Sequence, residues 1–200
     1  MGSRAKFCMI KKSELKLVKS DTPVLLTPLK PFDFNGEDDP EMLSNLMLAR
    51  LEELGGLGLS ANQVGLNYRM FVMGAGESQF SIFNPEIISM SQDHIVMDEG
   101  CLSFPGIYIK VNRPSSIGVR FQNKKGEVRE EALTGLSARI FLHEYDHMEG
   151  ITLKQKVSKI KWDLAFNRFT KRTNKIIRRG VQSQLVNIAN KIKEENVSNS

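Results

Sequence analysis

His143-Glu144-Tyr145-Asp146-His147 is the feature that most limits how this chain can fold. On a helix, two histidines four residues apart project to the same side of a 3.6-residue turn and can chelate one cation. The intervening Glu144 then lies close enough to handle a proton on water beside the cation. The surrounding text supports a helix from about Gly135 to Glu149, with Thr134 as N-cap and Gly150 in the left-handed position past its end. Leu136, Ile140, His143 and His147 share one face of it, which predicts a helix that is apolar at its start and imidazole at its end.

Other elements follow from periodicity. A Pro-, Asp- and Gly-rich loop, Pro28 to Pro40, leads into a helical pattern from Glu41 to Leu54, with Leu43, Leu46, Met47, Leu51 and Leu54 at three- and four-residue steps, stopped by Gly55 and Gly56. Strand-like runs occupy Met70 to Met73, Phe80 to Phe83, Ile107 to Val111 and Ile117 to Phe121. A turn at Asn123 to Gly126 leads into Val128 to Ala132. A further helix is predicted over Ser158 to Arg179. The expectation is an α+β fold, with antiparallel sheets around the central HExxH helix, a catalytic domain over 1–153 and a basic helical extension over 154–200.

Composition narrows the setting. No apolar run approaches the roughly 20 residues a spanning helix needs, and the N-terminus lacks the apolar core of a secretory signal, so a cytoplasmic protein without membrane association is expected. The opening stretch carries Arg4, Lys6, Lys11, Lys12, Lys16 and Lys19, but Glu14 and the scarcity of Arg and Ser argue against a transit peptide. Two cysteines, Cys8 and Cys101, give no disulfide framework and point to free thiols in a reducing compartment. The net charge of +5 is unevenly divided: from Ile151 onward 12 basic residues face 3 acidic ones, whereas the first 150 residues hold 16 basic and 20 acidic. Such an asymmetry suggests a polyanionic neighbour for the tail.

An HExxH sequence alone suggests a zinc protease, and the third ligand decides the class. No histidine follows His147, and Glu149, Glu194 and Glu195 are poorly placed as ligands. Upstream, Glu99-Gly100-Cys101-Leu102-Ser103 sets a cysteine in a Gly-bearing loop leading into a strand, and a thiolate is a strong ligand for a first-row divalent metal. Standing alone, Cys101 would read as a small buried hydrophobe. Gly56-Leu57-Gly58-Leu59-Ser60-Ala61-Asn62-Gln63 adds a segment of small residues with an amide donor at Gln63, although paired glycines also simply end helices.

Taken together, in this order and spacing, the three segments resemble the three signature motifs of the peptide deformylases. The resemblance spans about Leu43 to Leu153. It implies Cys101, His143 and His147 as metal ligands and Glu144 as general acid/base. It also implies Gln63 and the backbone N–H of Leu102 as oxyanion donors, and Gly58 as a position where backbone meets substrate. The implied cofactor is one divalent ion, ferrous in the family, with Zn, Ni or Co suited to the same ligands. The implied reaction removes the formyl group from N-formylmethionyl peptides as formate, with an apolar pocket for Met partly lined by Arg139 and Ile140. The family acts on nascent chains, so Lys171, Arg172, Lys175, Arg178 and Arg179 are expected to approach ribosomal RNA.

Some positions depart from the family pattern. Ser60 stands where Ala is usual, Leu142 replaces a Gln, Met148 replaces a Leu, and Phe104 to Lys110 lacks the Arg that many relatives use to hold substrate. The Ser103-Phe104-Pro105-Gly106 run is similar to viral or divergent members. A metallopeptidase and a catalytically inert metal-binding adaptor are the rival readings. Formyl-blocked against unblocked peptides would separate the first, and the presence of both Glu144 and Gln63 speaks against the second.

Overall fold

The computed structural model describes residues 15–74, 76 and 78–198. Cys8 and most of the basic opening stretch lie outside the described residues. The chain divides into two compact units, Met1–Val157 and Ser158–Ser200.

In the first unit, helix α1 (Pro40–Leu54) begins where Asp39 accepts hydrogen bonds from the backbone N–H groups of Glu41 and Met42, satisfying donors that a helix start leaves unpaired. It ends at Gly55, whose φ of 65° closes the last turn. Among the described residues seven strands follow: β1 (Gly58–Ser60), β2 (Met70–Met73), β3 (Phe80–Met90), β4 (His94–Cys101), β5 (Phe104–Pro114), β6 (Ser116–Gln122) and β7 (Val128–Thr134). They form an antiparallel five-stranded sheet in the order β1-β2-β3-β6-β7 and a separate β4-β5 hairpin. Helix α2 (Gly135–Met148) carries the HExxH residues.

Strand β2 shows how the layers are built. All four of its residues are buried, because alternate side chains enter different cores. Phe71 and Met73 join Ile82, Val119, Phe121 and the Ala138, Phe141, Leu142 and Met148 side of α2. Met70 and Val72 join Phe83 and the Leu43, Met47 and Leu51 side of α1. The sheet is covered on both faces, which is why this strand reads as an unbroken apolar run.

Three expectations need correction. Leu136, placed at the apolar start of the ligand-bearing helix face, is 53% exposed, because that face looks onto a cleft and the packed face is the one carrying Ala138, Phe141 and Leu142. Thr134 stands at the N-cap of α2 but makes no side-chain capping bond. Cys101 is not in a loop: it is the last residue of β4, opposite Phe104, and Leu102-Ser103 make the tight turn. Gly150 does take the left-handed conformation, at φ 70°.

In the second unit, α3 (Lys159–Ser198) extends well beyond Arg179, passing through Gly180. A glycine inside a helix costs only about 1 kcal/mol relative to alanine, which good helix formers on either side can absorb. Among the described residues no helix is long and apolar enough to cross a membrane.

Candidate metal centre

Three elements meet at one end of the first unit. The end of β4 brings Cys101, the last two turns of α2 bring His143 and His147, and the short 3-10 turn Ala61–Val64 after β1 brings Gln63. The Cys101 sulfur and one nitrogen from each imidazole lie within 4.8 Å of one another. Cys101 Sγ is 3.3 Å from His147 Nε2.

The chemistry of this donor set suits a divalent cation. Burial first, then the charges of His143 and Arg113, hold the His147 ring well below its ordinary titration range, keeping it a neutral donor. His143 Nδ1 lies 3.0 Å from a Glu99 oxygen, which ties one ring nitrogen and leaves the other for coordination. Burial opposes charge on this ring, but the hydrogen bonds to Cys101 and Glu99 outweigh it and push the group up to about 10, so a cation binding here must displace the proton on the nitrogen that faces Cys101.

Glu144 sits behind the ligands, only 3% exposed. Its Oε2 is buried without a hydrogen-bond partner, and burial pushes its carboxyl up to about 7. Such a group can take and return a proton near neutral pH. A Cβ at Gly58 would fall 2.4 Å from Glu144 Oε1, so only glycine leaves this carboxylate its place. Gln63 is oriented at both ends: its Oε1 accepts from Ser60 N at 2.9 Å, and its Nε2 donates to Ser103 Oγ at 3.1 Å and approaches Cys101 Sγ at 3.5 Å.

Cys101, Gln63, His143 and Glu144 open onto a cleft of about 510 Å³. Gly58, Gln63, Leu102, Ile140, His143 and Glu144 all line it, with apolar wall from Leu57, Met97 and Leu136.

The sequence profile described as polypeptide deformylase matches residues 14–162. The chain belongs to the polypeptide deformylase family. It is 40% identical over 139 residues to the peptide deformylase of Thermotoga petrophila, an alignment covering 70% of this chain and 84% of that one. The crystal structure of peptide deformylase from Thermotoga maritima superimposes with a TM-score of 0.69 at 36% identity, covering 72% of this chain and 97% of that one. Arabidopsis thaliana peptide deformylase 1B, solved in complex with an inhibitor, gives 0.71 at 34% identity, with coverage of 82% and 93%.

Within this deformylase fold the residues singled out in the sequence line one cleft, except His147, which is enclosed behind it, and with one further difference in detail. Arg139 lines the cleft as expected of a substrate contact, yet its guanidinium is engaged by Glu99 and by the carbonyls of Val111 and Ile95.

Sequence reasoning passed over Glu99, Arg113 and Asp146. Arg113 donates to both Glu99 oxygens at 2.6 and 2.8 Å and to Asp146 at 2.7 Å. A signal was available: Ile107, Ile109, Val111 and Arg113 alternate on one side of β5, and Glu99 shares the inward phase of β4 with Cys101. A charge on the buried phase of a strand must find a partner.

Proposed function

We propose that this chain removes the formyl group from N-formylmethionyl nascent peptides, with one divalent cation held by Cys101, His143 and His147. The observation that carries the reading is the convergence of a thiol and two imidazoles beside the buried, unpartnered Oε2 of Glu144, in a member of the deformylase family. The cation, when bound, supplies Lewis acidity that eases ionisation of water and polarises the formyl carbonyl.

The chain's own residues do the rest. Glu144 accepts a proton as the oxygen of water joins the formyl carbon. It then delivers that proton to the amine as the C–N bond breaks, giving formate and a peptide with a free amino terminus. Charge that develops on the former carbonyl oxygen meets the Gln63 amide, whose orientation is fixed by Ser60 and Ser103, and the backbone N–H of Leu102. Gly58 lets the substrate backbone approach. The methionine side chain lies against Ile140, Leu136 and Met97, and Arg139 contributes at most its aliphatic stem to this wall.

The cation we propose is Fe(II), with Zn, Ni and Co able to occupy the same thiolate and imidazole set. A cytoplasmic location fits a ligand set that needs Cys101 as a free thiol. We also assign catalysis to residues 1–153 and a docking role to 154–200. Lys171, Lys175, Arg178 and Arg179 share one face of α3, without Arg172, a basic stripe suited to ribosomal RNA phosphates.

Formate release from formyl-Met-Ala-Ser, measured together with metal content, tests the reading. Glu144→Ala is expected to keep its metal and lose about 10²–10⁴-fold in kcat, the usual share of a positioned acid/base. An unchanged rate in that variant would remove Glu144 from the chemistry.

A further inference from the structure

Four charged side chains lie beneath the ligands: Glu99, Arg113, Arg139 and Asp146, with side-chain exposures of 4%, 4%, 6% and 13%. Arg113 alone pairs with two carboxylates, Glu99 in a two-pronged bond and Asp146 through Nη1. Lys156 Nζ meets the other oxygen of Asp146 at 3.1 Å, so Arg113 and Lys156 between them already balance the two carboxylates. Arg139 adds a further guanidinium, with Nη1 2.8 Å from Glu99 Oε1. A charge this buried persists only where it is paired and hydrogen-bonded, so its place here rests on the set of bonds it makes.

The same guanidinium crosses between elements. Nη1 also donates to the carbonyl of Val111 in β5, and Nη2 to the carbonyl of Ile95 in β4. Arg139 thus ties the hairpin whose last β4 residue is Cys101 to the helix that carries both histidines. It also steadies Glu99, which holds His143 Nδ1.

We infer that Arg139, although it lines the cleft, is a positioning residue of the metal centre: it fixes the His143 ring through Glu99 and holds the Cys101 hairpin against α2. The inference deepens the deformylase reading and rests on its assignment of the three ligands. Groups that orient a metal ligand typically alter affinity or activity 10–100-fold when lost, without touching substrate. A point charge such as lysine cannot serve the carboxylate and both carbonyls together, because it lacks the planar fork.

The test compares wild type, Arg139→Met and Arg139→Lys loaded with Co²⁺, reading Co²⁺ affinity by chelator competition, the visible Co²⁺ spectrum, and KM and kcat at saturating metal. Arg139→Met is expected to bind Co²⁺ about 10–100-fold more weakly, with a changed spectrum and with KM for formyl-Met-Ala-Ser within about twofold of wild type. Arg139→Lys is expected to recover part of the affinity while staying weaker than wild type. Unchanged affinity with a raised KM in Arg139→Met would make this side chain a substrate contact and overturn the inference. If Arg139→Met does not fold, Arg139→Lys decides: wild-type affinity and spectrum there overturn it, and weakened affinity with unchanged KM supports it. Wild type that binds no Co²⁺ at Cys101, His143 and His147 ends the deformylase reading instead, so the two failures are distinct.

Discussion

Gly58→Ala is a small change with a calculable consequence. The added methyl would stand 2.4 Å from Glu144 Oε1 and 2.8 Å from both Cδ and Cγ, where real Cβ contacts essentially never fall below 3.0 Å. Relief requires the carboxylate to move by about 0.6 Å or more, since the methyl cannot go elsewhere. Strand β1 cannot readily retreat, because Gly58 is paired with Met73 in the sheet. A displacement approaching 1 Å at a reacting group costs on the order of 10²-fold in rate, or about 2.7 kcal/mol of transition-state stabilisation. Steady-state formate release at saturating metal, alongside metal content and the thermal midpoint, reads this directly. The expected result is a kcat about 10²-fold lower with metal content retained. A kcat within about threefold of wild type, or a loss explained by metal release, would refute the reasoning from Glu144 crowding.

Two further outcomes follow from the charge distribution. Burial works against the ionised form of Glu99, but the hydrogen bonds from Arg113 and His143 outweigh it and hold the carboxyl well below its ordinary value of 4.5. Its stabilising contribution is therefore complete above that value and fades as pH falls toward the depressed one. Glu99→Gln should be less stable at pH 7 and show a flatter loss of stability below pH 4.5 in denaturant titrations, and parallel pH profiles would contradict this. Reversing Lys171, Lys175 and Arg178 to glutamate should weaken ribosome co-sedimentation at low salt and reduce its salt dependence while leaving kcat on small peptides unchanged. Undiminished co-sedimentation would take the basic stripe out of the docking role.

Much of this was legible from spacing. The pair His143 and His147 pointed to a helix, and the α2 boundaries followed from Gly150 and the apolar steps before it. Met70 to Met73 was readable as a strand because covering both faces leaves an unbroken apolar run. Strand β4 was not legible: His94 to Cys101 alternates weakly, since much of its outward face is exposed and its inward face carries Glu99 as well as Met97 and Cys101. Leu136 was misplaced because a cleft wall and a core face have the same periodicity in sequence. The Glu99-Arg113-Asp146-Arg139 group was invisible as a unit, because its partners are 14 to 40 residues apart and only the fold pairs them.

The coordination sphere itself can be measured. X-ray absorption on the metal-loaded protein should show one sulfur at about 2.3 Å and two imidazole nitrogens at about 2.0–2.1 Å for a zinc-substituted sample, with the sulfur contribution gone in Cys101→Ser. A first shell of nitrogen and oxygen alone in the wild-type protein would mean that Cys101 does not hold the cation.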